Sequence, residues 1–171
     1  MKTTEHKILA LKYRPNTFKE LIGQDVMVQT ITNSIKTDKL PNAYLLTGIR
    51  GVGKTTTARL IAKALNCNKD FLKEENCDCN HCKEISNSRH LDVLEMDAAS
   101  RTGIDDVREL IEASKYNPTN AKYKIFIIFH IYIKETEQQP GIFRYGCYVS
   151  VLTGLSEKFH LLPASYFIIS V

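Results

Sequence analysis

No stretch of this sequence is apolar for long enough to cross a membrane. The opening MKTTEHKILALKYRP carries lysines but no continuous apolar segment of signal-peptide length before Pro15, which argues against export. At the other end, FHLLPASYFIISV is broken by His160 and Pro163 and falls well short of the ~20 apolar residues that span a bilayer. A cytoplasmic location and no membrane partner are expected. A surplus of one charge is missing too. The chain has 23 Lys and Arg against 19 Asp and Glu, a net +4, so the balance neither demands nor excludes a polyanionic partner such as nucleic acid. There is no internal repeat and no low-complexity tract. With 171 residues, 43% of them hydrophobic, the chain can bury one substantial core, and one domain is expected.

What is present alternates between two periods. GQDVMVQTITNSIKTDKL places Val28, Ile31 and Ile35 at helical spacing, with Pro41 beyond as a stop. AYLLT reads as a short buried strand, and Gly48, Gly51 and Gly53 end it. From Lys54 to Cys67, Leu60, Ile61, Ala64 and Leu65 recur as on a packed helix. LDVLEM is a second strand, GIDDVRELIEASK an amphipathic helix with Ile104, Val107 and Ile111 on one face, and YKIFII a third strand. Asp105 and Asp106 suit the first turn of that helix, where carboxylates meet the positive end of its dipole. Strands alternating with helices predict an α/β fold with a largely parallel sheet.

The turn after AYLLT carries the clearest chemistry. Gly48, Gly53, Lys54 and Thr55 satisfy G-x-x-x-x-G-K-[ST], with Ile49, Arg50, Gly51 and Val52 between them and Thr56 following. Glycines let consecutive backbone N–H groups point at phosphate oxygens, and the helix amino terminus adds partial positive charge. In such a loop Lys54 reaches the β- and γ-phosphates, and Thr55 offers its hydroxyl to a nucleotide-bound Mg²⁺. An ordinary glycine turn feeding a helix is the bland alternative, and the flanking strand and helix count against it.

Cys67, Cys77, Cys79 and Cys82 form C-x9-C-x-C-x2-C in an otherwise polar insertion. Four thiolates are enough for a closed tetrahedral zinc site, which would hold together a segment with little apolar material of its own. A reactive or regulatory thiol pair and unligated cysteines are the other readings. The single residue between Cys77 and Cys79 requires a sharp bend. His81 could replace one thiolate, or be a surface histidine.

Taken together, LKYRPNTFKELIGQD, AYLLTGIRGVGKTTTARLIAKALNC, the cysteine cluster and LDVLEMDAASRTGIDDVREL resemble, in this order, the gamma/tau subunit of bacterial DNA polymerase III, the ATP-driven clamp loader of the AAA+ superfamily. The resemblance covers roughly residues 8 to 128. It implies a partial P-loop AAA+ nucleotide-binding domain over 1–128, with a zinc insertion at 67–82. It also implies ATP with Mg²⁺ as ligand, and adenine contacts near Tyr13, Arg14, Pro15 and Gly23. The family's insertion binds structural zinc through C-x8-C-x2-C-x2-C, from which this chain departs by one residue in two spacings. Other clamp-loader subunits, the DNA polymerase III holoenzyme, the sliding clamp and primed DNA are the partners the resemblance implies. DAASRT carries no chemical signature of its own and otherwise reads as an N-capped turn into the Ile104 helix.

The likeness fades after Ile128. The family places Asp-Glu-x-His there, the Asp supporting Mg²⁺ and the Glu preparing the attacking water; here Phe129 and His130 stand in those places. A phenyl ring cannot hold a hydrated Mg²⁺, so ATP binding with severely impaired hydrolysis, no catalytic residue and no polymerase site are expected. The family's sensor strand, arginine finger, lid and collar are not recognisable, and without the collar pentamer assembly is not expected. Residues 129–171 hold eight of the 15 Phe and Tyr but six charged residues, as a shifted reading frame or a truncated gene would produce. In the family's sheet, the strand before the phosphate loop lies between two strands that come later than YKIFII. CYVSVL and SYFIISV are candidates to fill those places, although their spacing does not require it. Besides a clamp-loader fragment, the alternatives are a gene remnant without function and a small zinc-bearing nucleotide-binding interaction module.

Overall fold

The computed structural model describes residue 9 and residues 13–49, 51–69, 71–72, 77–97, 104–135, 143–153 and 166–170; at Ile104, Val107 and from 130 onward the description is of backbone alone. After a 3₁₀ turn, Phe18–Glu20, the elements are α1 (Asp25–Lys36), β1 (Ala43–Thr47), α2 (Lys54–Asn66), α3 (Asn80–Ser86), β2 (Val93–Asp97), α4 (Ile104–Lys115), β3 (Ile125–Glu135), β4 (Phe143–Thr153) and β5 (Tyr166–Ser170). Each sequence-predicted helix and strand has a counterpart. Helix α1 stops well before Pro41, because Asp38 enters the left-handed region at φ 53. Lys39 N then donates to Ser34 O at 3.0 Å and Asp38 N to Ile35 O at 3.2 Å, the two bonds of a Schellman cap. Helix α3 ends the same way at Ser88, with φ 54.

The strands form one five-stranded sheet in the order β2-β3-β4-β1-β5. Strands β2 and β3 are parallel, with Val93 opposite Ile125, and β5 is parallel to β1, with Ala43 opposite Tyr166. Strand β4 is antiparallel to both neighbours, pairing Leu46 with Val149 on one side and Phe129 with Val149 on the other. The sheet is therefore mixed, where a largely parallel one was predicted. The cause is the connection: only residues 136–142 separate β3 from β4, and a parallel return requires a crossover of a dozen or more residues. Both flanks of β1 are filled by segments whose composition set them apart, and its backbone groups are paired on each side.

Helix α2 carries the densest burial. Leu60 is 1% exposed and Ile61 0%, and together with Ile31, Leu46, Ile85, Ile125 and Ile127 they form the core on one sheet face. Arg59 fastens this helix to β2 through a bidentate pair with Glu95, Nε to Oε1 and Nη2 to Oε2 both at 2.7 Å. At its far end Asn66 Nδ2 donates to Tyr123 O at 2.9 Å and Oδ1 accepts from Tyr123 N at 2.8 Å, which fixes the entry to β3. On the opposite face, Asp106, Leu110 and Ala113 of α4 line a small cleft against Leu94, Met96, Phe126 and Ile128. Ile111, predicted to face inward, is 51% exposed; the i, i+4, i+7 row through Asp106 is the one turned to the sheet. No helix among the described residues is long and apolar enough to cross a membrane.

Candidate functional site

The phosphate-loop residues sit at the carboxyl end of β1, where a strand hands over to the amino terminus of α2. Gly51 and Gly53 have φ of 88° and 98°, a region open to glycine and strained for other residues. Gly53 is the N-cap of α2 and offers no side-chain acceptor, so the N–H groups of the first turn have no side-chain cap. Lys54 is 5% exposed, and its Nζ donates to Gly48 O at 2.9 Å and to Ile49 O. The ammonium thus lies inside the loop's curl, where a phosphate oxygen could take over from the carbonyls. Thr55 is half-buried, Ile49 73% exposed, Val52 half-buried and Thr56 buried; Arg50 lies outside the described residues. A helix amino terminus without a side-chain cap, a glycine curl and an enclosed cation fit a polyphosphate with its Mg²⁺.

No Cβ built on Gly53 would meet an atom within 4 Å. Gly53→Ala should therefore cost only backbone strain, about 1–2 kcal/mol, read from the urea midpoint. Unchanged stability would show that the loop relaxes without cost.

The predicted adenine contacts are spread more widely. Arg14 Nε donates to Thr56 Oγ1 at 3.2 Å, which attaches the Tyr-Arg-Pro segment to the first turn of α2. Burial, then the nearby Arg59 charge, lower the Arg14 pKa, and Glu95 opposes them. Tyr13 is 72% exposed, Pro15 is half-buried, and Gly23 takes φ 75 in the turn before α1. Asp97 ends β2 opposite Phe129, while residues 98–103, with the rest of DAASRT, lie outside the described residues. Phe129 packs on the core, and the backbone of His130 pairs with Tyr148 within the β3–β4 ladder.

Cys67, Cys77, Cys79 and Cys82 are brought together, their sulfurs all within 4.8 Å of one another. Cys67 Sγ is 3.1 Å from Cys77 Sγ and 3.8 Å from Cys79 Sγ. A tetrahedron with metal–sulfur bonds of ~2.3 Å has edges of ~3.8 Å, so the set fits a zinc ion with a small adjustment at Cys77. Cys67 follows the last turn of α2; Cys79 is the N-cap of α3, its Sγ accepting from Cys82 N at 3.4 Å. Burial raises the Cys79 pKa, but the Cys82 N–H and neighbouring thiol donors outweigh it and bring the group down to about 7. Burial, followed by the Cys77 contact, pushes Cys67 up to about 11, and burial also raises Cys82.

His81 is not part of this cluster. Its Nδ1 lies 2.8 Å from His90 Nε2, and His90 Nδ1 accepts from Asp92 N at 3.0 Å. His90 Nε2 must then carry the proton and donate to His81. Although His81, Glu84 and His90 stand close enough for a metal, a protonated Nε2 has no lone pair to give. A metal-bound histidine uses its other nitrogen as a donor, and this one accepts. Neither this pair, nor the Arg59–Glu95 bridge, nor the Arg14–Thr56 contact was found from sequence, since each joins residues with no shared period.

A G-x-x-x-x-G-K-T loop between the first strand and its helix, on a mixed sheet with helices on both faces, makes this an α/β protein. A model of the DNA polymerase III, delta subunit family matches residues 23–136, well over half of the chain, and the protein belongs to that family. It is 39% identical over 128 residues to the DNA polymerase III subunit tau/gamma of Haemophilus influenzae, covering 75% of this chain and 19% of that protein. It is 42% identical to DNA polymerase III subunit gamma of Buchnera aphidicola subsp. Schizaphis graminum, over 75% of this chain and 35% of the relative. Against DNA polymerase III subunit tau of Escherichia coli the identity is 38%, over 75% and 20%. The chain thus spans from about a fifth to about a third of the length of these relatives.

Proposed function

We propose that the chain is the nucleotide-binding part of a gamma/tau-like clamp-loader subunit, acting in DNA replication through ATP binding. The observation that carries this reading is the enclosure of Lys54 Nζ within a glycine curl at a helix amino terminus that has no side-chain cap. Residues 48–56 would hold the phosphates, Thr55 the Mg²⁺, and Tyr13, Arg14, Pro15 and Gly23 the adenosine. Arg14 would move with the site, because its bond to Thr56 couples the amino-terminal segment to the loop. The four cysteines would hold a zinc ion, which supplies structural cross-linking and no chemistry of turnover. Residues 1–128 form the nucleotide-binding unit in this reading, with 129–171 as a divergent continuation. Other DNA polymerase III subunits, the sliding clamp and primed DNA are the partners it implies.

Hydrolysis is not part of the proposal. Phe129 and His130, midway along β3, stand at the two places where the resembling family carries its Asp and Glu, and neither offers a carboxylate to the Mg²⁺ sphere or the attacking water. Titration with a fluorescent ATP analogue in the presence of Mg²⁺ should give saturable binding, while phosphate release stays at background. A folded protein without saturable binding would refute the nucleotide reading; measurable turnover would refute the hydrolysis defect. Binding of ATP without any affinity for clamp or clamp-loader subunits would favour the small interaction module instead.

A further inference from the structure

Lys63 is 6% exposed, an unusual place for an ammonium near the end of a helix. It precedes Cys67 by one helical turn, and Cys67 N donates to Lys63 O at 2.8 Å, so the two side chains leave α2 on one face. A cleft of about 450 Å³ is lined by Lys63 together with Cys77, Cys82, Asp78, Lys83 and Asn16. Burial is the first influence lowering the Lys63 pKa; Cys82 and Glu20 favour its charged form, and Arg59 and Arg14 oppose it. Glu20 is exposed, and its carboxylate already accepts Asn16 N at 2.8 Å. It is a poor counter-ion for a buried cation.

The cysteine cluster has the complementary problem. One divalent ion held by four thiolates carries two net negative charges, and such charge under a protein surface needs a partner. Among the described residues Cys82 N donates to Cys79 Sγ, and the backbone at Asn68 and Lys69 also bonds to Cys79 and Cys67; these neutral dipoles soften the charge without supplying an opposite one. We propose that Lys63 is the counter-cation of a tetrathiolate zinc centre: its buried ammonium offsets the charge of the Cys67–Cys77–Cys79–Cys82 site and thereby sets its metal affinity. This rests on the zinc reading given above. It also accounts for a buried lysine near the end of the helix that begins at the glycine loop.

The test uses the full chain, stripped of metal and titrated with Co²⁺, whose thiolate charge-transfer absorption reports ligation, followed by Zn²⁺ in competition with a chelator. Lys63→Met should weaken zinc binding by about 10–100-fold, the range for groups that support metal ligands from outside, and Lys63→Arg should restore most of it. Thermal unfolding adds a second readout: Lys63→Met should lower the zinc-loaded midpoint and leave the metal-free midpoint unchanged or raised. If Lys63→Met binds zinc as tightly as the parent protein while the thiolate band is intact, the counter-cation assignment is overturned and the zinc site stands. Equal loss of stability with and without metal would also overturn it, marking Lys63 as a packing residue. Absence of the thiolate band in the parent protein would remove the zinc reading, and the Lys63 assignment with it.

Discussion

Lys54→Ala should reduce ATP affinity by on the order of 100-fold, the effect of losing a charge-assisted contact of ~3 kcal/mol to phosphate. The size follows from where Nζ lies. It is almost fully removed from water and faces two carbonyl oxygens of its own loop, Gly48 O and Ile49 O. Exchanging those neutral dipoles for phosphate oxygens gains charge-on-charge attraction with little further desolvation of the cation. The loop's glycine conformations belong to the backbone, so the variant should keep its cradle and lose the cation alone. Isothermal titration with Mg·ATP on both proteins, with unfolding midpoints as the control for folding, gives the result. Equal affinities would mean that the loop does not hold the phosphates.

Much of this site was legible in the sequence because its parts are local. The loop, its strand and its helix are contiguous, and the apolar period of Leu60, Ile61 and Leu65 fixes which face of α2 turns inward. The cysteines could be grouped because three of them fall within Cys77–Cys82 and the fourth ends α2. Long-range partners left no such trace. Glu95 appears in LDVLEM as a polar residue within a strand, and only the packed sheet shows that it receives Arg59. Lys63 reads as an ordinary hydrophilic position on a helix until the insertion covers it. Strands β4 and β5 were visible as apolar segments, but their places beside β1 are decided by which edges the sheet offers. The antiparallel direction of β4 follows from the short connection to β3 and not from any residue within it.

Asp92 shows the same limit at its largest expected cost in stability. Its side chain is 2% exposed, and its carboxylate accepts three backbone N–H groups: Thr119 at 2.8 Å, Asn120 at 2.8 Å and Ala121 at 3.0 Å. Its own carbonyl accepts from Ile125 N at 2.8 Å. One residue therefore holds the loop before β3 against the start of β2 and maintains the Val93–Ile125 register. Asp92→Ala should lower unfolding free energy by about 3 kcal/mol, less than three separate charge-assisted bonds would give, because water can reach part of the exposed loop once the carboxylate is gone. Burial alone would raise the Asp92 pKa, but the three N–H donors and nearby His90 outweigh it and hold the carboxyl below its ordinary value. The sign follows: this stabilisation is fully present above the unfolded value of about 3.9 and is lost as pH falls through the lower folded value. In urea titrations across pH, the gap between parent and Asp92→Ala should be constant near neutrality and close in acid. A gap that widened on acidification would mean that Asp92 is held by its protonated form, and the loop anchor described here would have to be abandoned.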